Sequence, residues 1–318
     1  MLKLIRNEAQ IGAVWLTAAL FLIFGKGWFA ATAGNTALTL GLFAWLFAAI
    51  LWGAFGVVRH AEHLAETLGE PYGTLILTMS VTIIEVAFII TAIATSAGSS
   101  PVARDAVFAV VMIMLNGTIG LCLLLGGWRH REQTYNLPGA RAFLSVVIPL
   151  AVFALILPNF TVVATGPILS MPQAITIAVL TLLPAVYLTE ELGHIVDHAV
   201  KAMNAPEALA GVIVAVLVLA PEVMGALQAA LRNRLQRAVN IALGSVLATI
   251  GLTIPAVLVL GVLKDMPTIL GLGQEQMVLL AVTLVVSTLT FGGDRTNMLQ
   301  GAVHFVMFLV FGLLLFHP

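Results

Sequence analysis

The chain has 318 residues, of which 60% are hydrophobic and only 9% are charged. A soluble domain of this length does not need so apolar a composition to fill its core, so the sequence indicates a protein surrounded by a lipid bilayer. The formal net charge of -1 gives no indication of nucleic-acid binding. The single cysteine, Cys122, lies in an apolar stretch, where packing is its expected role.

Apolar runs separated by short polar connections predict the course of the chain. A helix needs about 20 apolar residues to cross a bilayer, and the chain offers about ten such runs. The predicted helices cover residues 10–25, 36–58, 72–97, 103–127, 141–158, 172–192, 206–231, 238–263, 275–291 and 296–316. The pattern predicts an all-α polytopic protein, with residues 1–318 in a single membrane domain and no need for a strand.

The amino-terminal run has two interpretations. Lys3 and Arg6 precede it and the small residues Ala31-Thr32-Ala33 follow it, as in a secretory signal with its cleavage site. A retained first helix is the better interpretation, because further spanning runs follow at once. Residence in a cytoplasmic membrane is then expected.

An internal repeat is the strongest organisational signal. Two segments share an acid–histidine pair, then a proline, then an apolar run that leads to a lone glutamate. These features are Glu62-His63, Pro71 and Glu85 in the first segment, and Asp197-His198, Pro206 and Glu222 in the second. We predict two repeats, residues 36–163 and 172–318, an organisation that many secondary transporters use with the substrate site between the halves.

The next helix of each half supports the repeat. Arg104 precedes Asn116 by the same interval at which Arg237 precedes Thr249, within runs that are otherwise apolar and small. Duplication is the simplest account of these matches.

The two lone glutamates are the leading candidates for function. Glu85 and Glu222 fall near the middle of their predicted helices, at the depth of the bilayer centre. A charged side chain there costs at least about 2.5–3.5 kcal/mol, so such residues are rare and usually line a pathway. Pro221 removes a backbone donor beside Glu222 and frees carbonyls to face a cavity. A protonated glutamate bonded to a neighbouring helix explains either residue alone, but the matched pair favours a shared ion site.

Oxygen-bearing side chains near both glutamates could complete a calcium site, since calcium takes about six to eight oxygen ligands. The candidates are Thr82 on the face of Glu85, Asn116 in the next helix, and Ser245 and Thr249 in its counterpart. A lone hydroxyl in a spanning helix often bonds its own backbone instead, so Asn116 is the best of the four. Protons and a divalent cation would compete for the same carboxylates, which would couple their movement as antiport.

Other charged groups are better explained without an ion site. Two clusters of acidic residues and histidines are better interpreted as solvated helix ends than as groups that guide ions or protons to the site. These clusters are Glu62, His63 and Glu66, and Glu190, Glu191, His194, Asp197 and His198. Asp294-Arg295 is predicted to be a neutralised pair at a helix start, and His304 a hydrogen-bonding residue inside the bundle. The sequence has no phosphate-binding glycine loop, nucleophile elbow or metalloprotease motif, which argues against an ATP-driven pump and against an enzyme.

Six segments carry a family resemblance over most of the chain. They are Leu68–Leu75, Ser80–Glu85, Ala103–Met112, Gly126–Gln133, Leu157–Thr161 and Asn240–Ile250. With these segments the sequence resembles the bacterial calcium/proton antiporters of the cation/proton exchanger family, within the sodium/calcium exchanger superfamily. The resemblance implies calcium/proton exchange, with sodium or potassium as a further possibility, and Glu85 and Glu222 as shared cation and proton ligands. It implies no cofactor; the expected partners are membrane lipid and inorganic cations. Neither glutamate lies in the Gly-Asn-x-x-Glu motif usual across the superfamily.

The resemblance also implies that the two repeats are inverted. Inversion needs an even number of crossings between the two glutamate helices, whereas the predicted helices give an odd number. Inversion brings four further arginines to the cytoplasmic side, so the positive-inside rule prefers it. These arginines are Arg232, Arg234, Arg237 and Arg295. Residues 141–200 are then one crossing short, and a shortened or re-entrant segment at residues 158–172 is our hypothesis.

The leading hypothesis is therefore a secondary calcium/proton exchanger that works by alternating access. One alternative is a sodium or potassium/proton antiporter. Another is a non-transporting membrane scaffold or channel, which would tolerate amides at both glutamates.

Overall fold

The computed structural model describes residues 9–32, 35–68, 102–160, 208–263, 270–293 and 295–316, and helices account for most of them. Within these ranges five helical spans are long and apolar enough to cross a membrane: Ala37–Gly56, Arg104–His130, Leu137–Asn159, Leu235–Leu258 and Met298–Phe316. The predicted all-α polytopic fold is confirmed. The predicted helices at 72–97 and 172–192 lie outside the described residues.

The described helices are numbered here in chain order. They are α1 Ala9–Thr32, α2 Thr36–Leu68, α3 Val102–Met112, α4 Ile119–His130, α5 Leu137–Ala151, α6 Ala208–Leu231, α7 Leu235–Ala248, α8 Ile254–Leu263, α9 Gln274–Thr290 and α10 Met298–Phe316. Three π-helical segments interrupt this regular winding in the described part of the chain. They are Ile113–Thr118 between α3 and α4, Val152–Ile156 after α5, and Thr249–Thr253 between α7 and α8. A short 3-10 turn, Leu157–Asn159, ends the α5 span.

The structure also contains one short pair of β-strands, which the sequence analysis did not predict. Strand β1, Gln133–Thr134, pairs antiparallel with strand β2, Arg295–Thr296, with Gln133 opposite Thr296. The two strands follow α4 and precede α10. Because α4 and α10 pack against each other, the connecting segments at their ends lie side by side and exchange backbone hydrogen bonds.

The chain divides into two compact units, residues 1–98 with 167–218 and residues 99–166 with 219–318. In the first unit, α1 packs on α2 through aromatic side chains. The Phe21 ring centroid lies 5.1 Å from that of Trp28 and 5.5 Å from that of Trp45. Edge-on contacts of this kind are favourable between aromatic rings.

In the second unit, α4 and α10 approach so closely that their backbones touch. A Cβ atom at Gly120 would lie 2.8 Å from the backbone nitrogen of Phe305, and one at Gly301 would lie 2.6 Å from that of Leu124. Any larger residue at these positions would push the helices apart. Small residues at such crossings are typical of membrane helices, since close approach maximises van der Waals contact.

At one end of the second unit, hydrogen bonds join the ends of helices and the segments that connect them. His130, at the end of α4, donates from Nε2 to the Leu231 carbonyl at the end of α6 over 3.0 Å. Arg141, near the start of α5, donates to the Gly292 carbonyl after α9 over 2.5 Å. We call this the arginine-rich end because it presents seven exposed arginines. They are Arg129, Arg131, Arg141, Arg232, Arg234, Arg237 and Arg295.

The opposite end of this unit is joined by Arg104 and Asn159. Arg104, near the start of α3, donates to the Gly271 carbonyl over 3.1 Å. Asn159, at the end of the α5 span, donates from Nδ2 to the Leu272 carbonyl over 2.8 Å. Helix α8 contacts α3 and therefore also approaches this end.

These contacts fix the directions of two helices that the repeat makes equivalent. The helix 102–130 runs towards the arginine-rich end, whereas the helix 235–263 starts there and runs away from it. The two are antiparallel, so these helices have the inverted arrangement that the arginine distribution favoured. The segment predicted to be shortened or re-entrant, residues 158–172, lies outside the described residues beyond residue 160.

Candidate cation site

Glu222 lies within α6, half-buried, and both of its carboxylate oxygens are buried. Pro221 precedes it inside the same helix, which continues to Leu231. Because proline has no N–H, the carbonyl one turn earlier, at residue 217, loses its helical partner. The local sequence therefore places a carboxylate and a released backbone carbonyl within one turn of each other, and both are oxygen ligands of the kind that hard cations prefer.

The packing of α6 on α7 shows what lies beside Glu222. A Cβ atom at Gly225 would lie 3.7 Å from Cδ1 of Ile241, so the two helices are in contact there. Glu222 lies one turn before Gly225 on the same face, and Ser245 lies one turn after Ile241. Since α6 ends and α7 begins at the arginine-rich end, both steps lead away from that end. Glu222 and the predicted ligand Ser245 thus lie at the same depth.

The surface of α7 is open at the residue before Ser245. No described atom lies within 4 Å of the Cβ position of Gly244, which precedes Ser245. Ser245 and Gly244 are half-buried, and Thr249, one turn further along, is fully buried. The predicted ligands Ser245 and Thr249 therefore follow one another along α7 from the depth of Glu222.

Two of the predicted ligands, Asn116 and Thr249, lie in π-helical segments of the repeat-equivalent helices. Asn116 is in Ile113–Thr118, and Thr249 begins Thr249–Thr253. A π-turn widens the helix by one residue and changes which side chains face a neighbour, and such turns are frequent at functional sites. Thr118 donates to the Ile113 carbonyl five residues earlier over 3.0 Å, which stabilises the first of these segments.

Asn116 is buried in a hydrogen-bond network with two later helices. Its Nδ2 donates to the Thr283 hydroxyl of α9 over 2.8 Å, and its Oδ1 lies 3.2 Å from Nδ1 of His304 in α10. Nε2 of His304 lies 3.0 Å from the Thr290 hydroxyl. Asn116, Thr283 and His304 are completely inaccessible to solvent. The prediction that His304 is a hydrogen-bonding residue of the bundle interior is confirmed.

The polar residues of α9 were not among the predicted site residues. Thr283, Ser287 and Thr290 are all buried, and they recur at helical spacing on one face. This face was visible in the sequence as a polar stripe in an otherwise apolar run. Its partners were not visible, because Asn116 is 167 residues from Thr283 and 188 from His304.

Several residues that the sequence analysis singled out lie outside the residues that the structure describes. Glu85 and Thr82 belong to residues 69–101, and Asp294 is also outside. The side chains of Glu62, His63 and Glu66 are not described, nor is the second acidic cluster at 190–198. Arg295 forms a salt bridge of 3.1 Å with Glu132, both largely exposed. Within the described ranges no three His, Cys, Asp or Glu side chains form a metal-binding group.

When the chain is compared with known proteins, the same family matches each of its two halves. The sequence profile of the sodium/calcium exchanger protein family matches residues 38–183 and again residues 173–317. The chain belongs to the sodium/calcium exchanger family. Its members are secondary transporters rather than catalysts of chemical reactions, so this exchanger is a multi-pass membrane protein that moves cations.

Two curated relatives cover most of the exchanger. The sodium-potassium/proton antiporter ChaA of Escherichia coli is 33% identical, across 84% of this chain and 86% of its own. A candidate ionic transporter of Sinorhizobium fredii, y4hA, is 41% identical over the same shares.

Solved structures agree on the fold. The Ca2+/H+ antiporter protein YfkE superposes with a TM-score of 0.69 at 20% identity, covering 98% of this chain and 99% of its own. The H+/Ca2+ exchanger CAX gives a TM-score of 0.67 at 14% identity, covering 97% and 88%. At these identities the likeness shows the fold alone.

Proposed function

We propose that the exchanger moves Ca2+ against H+ across a bacterial inner membrane by alternating access, with Glu85 and Glu222 as shared ligands of the cation and the proton. The observation that carries the proposal is the setting of Glu222. Its carboxylate oxygens are buried in α6, next to a released carbonyl and at the depth of Ser245. A buried carboxylate in a spanning helix is costly and is usually retained for ion passage.

The chemistry of this pair supports coupled exchange. Two carboxylates balance the charge of one Ca2+, and neutral oxygens from Thr82, Ser245 and Thr249, with backbone carbonyls and water, would supply the remaining ligands. A carboxylate that holds a proton has lost the charge that attracts the cation. Proton binding and cation binding therefore exclude one another at the same oxygens, which is the requirement for antiport.

A second candidate function is sodium or potassium/proton exchange. The E. coli relative, 33% identical, is named a sodium-potassium/proton antiporter. The structural neighbours YfkE and CAX are named Ca2+/H+ antiporters, which favours calcium, but they are only 20% and 14% identical. We place calcium first because two matched carboxylates fit a divalent cation best.

Everted membrane vesicles loaded with a pH indicator test the proposal. Addition of Ca2+ to the parent protein is expected to release protons from the vesicle interior, with smaller responses to Na+ and K+. Glu85→Gln and Glu222→Gln are each expected to abolish the response, because an amide neither holds a proton nor offers a negative charge. Glu132→Gln is the matched control, since Glu132 lies in an exposed salt bridge. Unchanged exchange in both site variants would refute the site and favour a scaffold or channel.

A further inference from the structure

The network around Asn116 is a directed chain of hydrogen bonds. The amide oxygen Oδ1 of Asn116 can only accept, so Nδ1 of His304, 3.2 Å away, is the donor. Nε2 of a neutral His304 then accepts from the Thr290 hydroxyl, 3.0 Å away. On the other side of the amide, Nδ2 donates to Thr283 over 2.8 Å. Of the two neutral tautomers of His304, only the Nδ1–H form satisfies both of these contacts.

Burial makes this chain rigid. Asn116, Thr283 and His304 expose none of their surface, and Thr290 exposes 3%. A buried polar group that loses its partner costs about 1–3 kcal/mol, so each member holds its neighbour in one orientation. The amide of Asn116 is therefore fixed from both sides, and with it the π-helical segment Ile113–Thr118 is tied to α9 and α10.

This orientation bears on how Asn116 serves exchange. A side chain that coordinates a cation must present its oxygen to the ion, whereas Oδ1 of Asn116 is directed at a donor on α10. Its nitrogen, the other end of the amide, is directed at Thr283. Each end of the amide therefore has its partner on α9 or α10.

We propose that His304 is a positioning residue for cation exchange that acts through Asn116, and that Asn116 contributes by holding the π-helical segment rather than by coordinating the cation. The inference rests on the proposed exchange of a cation for protons. It does not depend on which cation is moved or on Glu85 and Glu222 being the ligands.

Two replacements of His304 separate its contacts. In His304→Asn the side-chain amide nitrogen occupies nearly the position of Nδ1, so the donation to Asn116 is retained. In His304→Gln the amide nitrogen reaches the position of Nε2 instead. It can donate to the Thr290 hydroxyl, which then accepts, while the donation to Asn116 is lost. Vesicle exchange is measured for both variants over a range of Ca2+ concentrations, with thermal unfolding in detergent as a check on folding.

His304→Gln is expected to lower the maximal exchange rate on the order of ten-fold, as the loss of a supporting hydrogen bond does at other ion sites. The Ca2+ concentration for half-maximal rate should stay within about two-fold, because no ligand is lost. His304→Asn should keep most of the parent rate. Asn116→Leu also removes the bond to Thr283, so it should lower the rate at least as much as His304→Gln. Adding His304→Gln to Asn116→Leu should bring no further loss, since the contact between the two residues is already gone.

Three results would overturn the inference. A several-fold rise in half-maximal Ca2+ concentration in Asn116→Leu, with His304→Gln unaffected, would make Asn116 a direct ligand. Equal loss in both His304 variants with matching loss of thermal stability would reduce His304 to a packing role. Full activity in His304→Gln and Asn116→Leu would remove any role for the pair. Failure of the proposed function would look different, because the parent protein itself would then release no protons on cation addition.

Discussion

The helices 102–130 and 235–263 share a plan but have different surroundings. Each has an arginine near its start and a π-helical segment in its middle, at Ile113–Thr118 and Thr249–Thr253. They run in opposite directions through the second unit. Yet 89% of an 18-residue apolar stretch of the first span is buried, against 50% of such a stretch in the second.

Glycines show what this difference means for packing. Gly120 in the first helix lies against the backbone of α10, whereas Gly244 in the second has no described atom near its Cβ position. The first helix serves as a core helix that holds α9 and α10 in place. The second is less buried and has open space beside Gly244. Inverted duplication thus supplies two similar backbones, and the side chains around them assign one to support and the other to the candidate site.

The largest expected effect concerns the opposite directions of these helices. Single cysteines are introduced at Arg131, Arg234 and Gln274, which are exposed, after replacement of the buried Cys122 by Ala. Arg131→Cys and Arg234→Cys should react with an impermeant maleimide from one side of the membrane only, and Gln274→Cys from the other only. The positive-inside rule makes the arginine-rich end cytoplasmic.

Everted and right-side-out vesicles from the same cells provide the control, because the labelling pattern should reverse between them. Labelling of Arg131→Cys and Arg234→Cys from opposite sides would contradict the antiparallel arrangement.

A smaller effect tests the difference in packing. Gly120→Ala places a methyl group 2.8 Å from the Phe305 backbone nitrogen, so α4 and α10 must separate. Overpacking of this kind costs about 1–3 kcal/mol. Gly244→Ala meets no described atom and should stabilise α7 by about 0.5–1 kcal/mol, because alanine loses less backbone freedom on folding. Thermal unfolding midpoints in detergent should therefore fall in the first variant and rise slightly in the second. Equal shifts would mean that the two helices are packed alike.

Apolar periodicity predicted the described spanning helices well but missed their local irregularities. The prediction ended the second helix at residue 58, at the polar Arg59-His60 pair, whereas α2 continues to Leu68. The π-helical segments could not be predicted from the sequence. Each inserts one extra residue in a turn and so changes which side chains lie on a face, but the hydrophobic pattern does not change when nearly every side chain is apolar. A ladder of two residues in each strand is likewise too short to produce a pattern.

The candidate site was predictable where a single helix carries the signal. Glu222 was recognisable because a carboxylate in mid-helix contradicts its apolar surroundings. The partners of Asn116 were not recognisable, because tertiary packing alone brings α9 and α10 to the π-helical segment. The sequence therefore predicted Asn116 to be a cation ligand, whereas in the structure its side chain forms hydrogen bonds with His304 and Thr283.

The last test of the comparison replaces one buried threonine by valine beside each π-helical segment. Thr283→Val keeps the shape of the side chain but leaves Nδ2 of Asn116 with the weak acceptor Sδ of Met112, 3.5 Å away. The loss should cost about 1–3 kcal/mol of stability. Thr253 is fully buried at the end of the second π-helical segment, and its hydroxyl makes no hydrogen bond within the described residues. Thr253→Val should therefore cost no stability, since it leaves nothing unpaired and removes a buried hydroxyl that has no partner among the described residues. If Thr253→Val proves as costly as Thr283→Val, the second π-helical segment has a polar partner of its own, and the two helices differ less than their described contacts indicate.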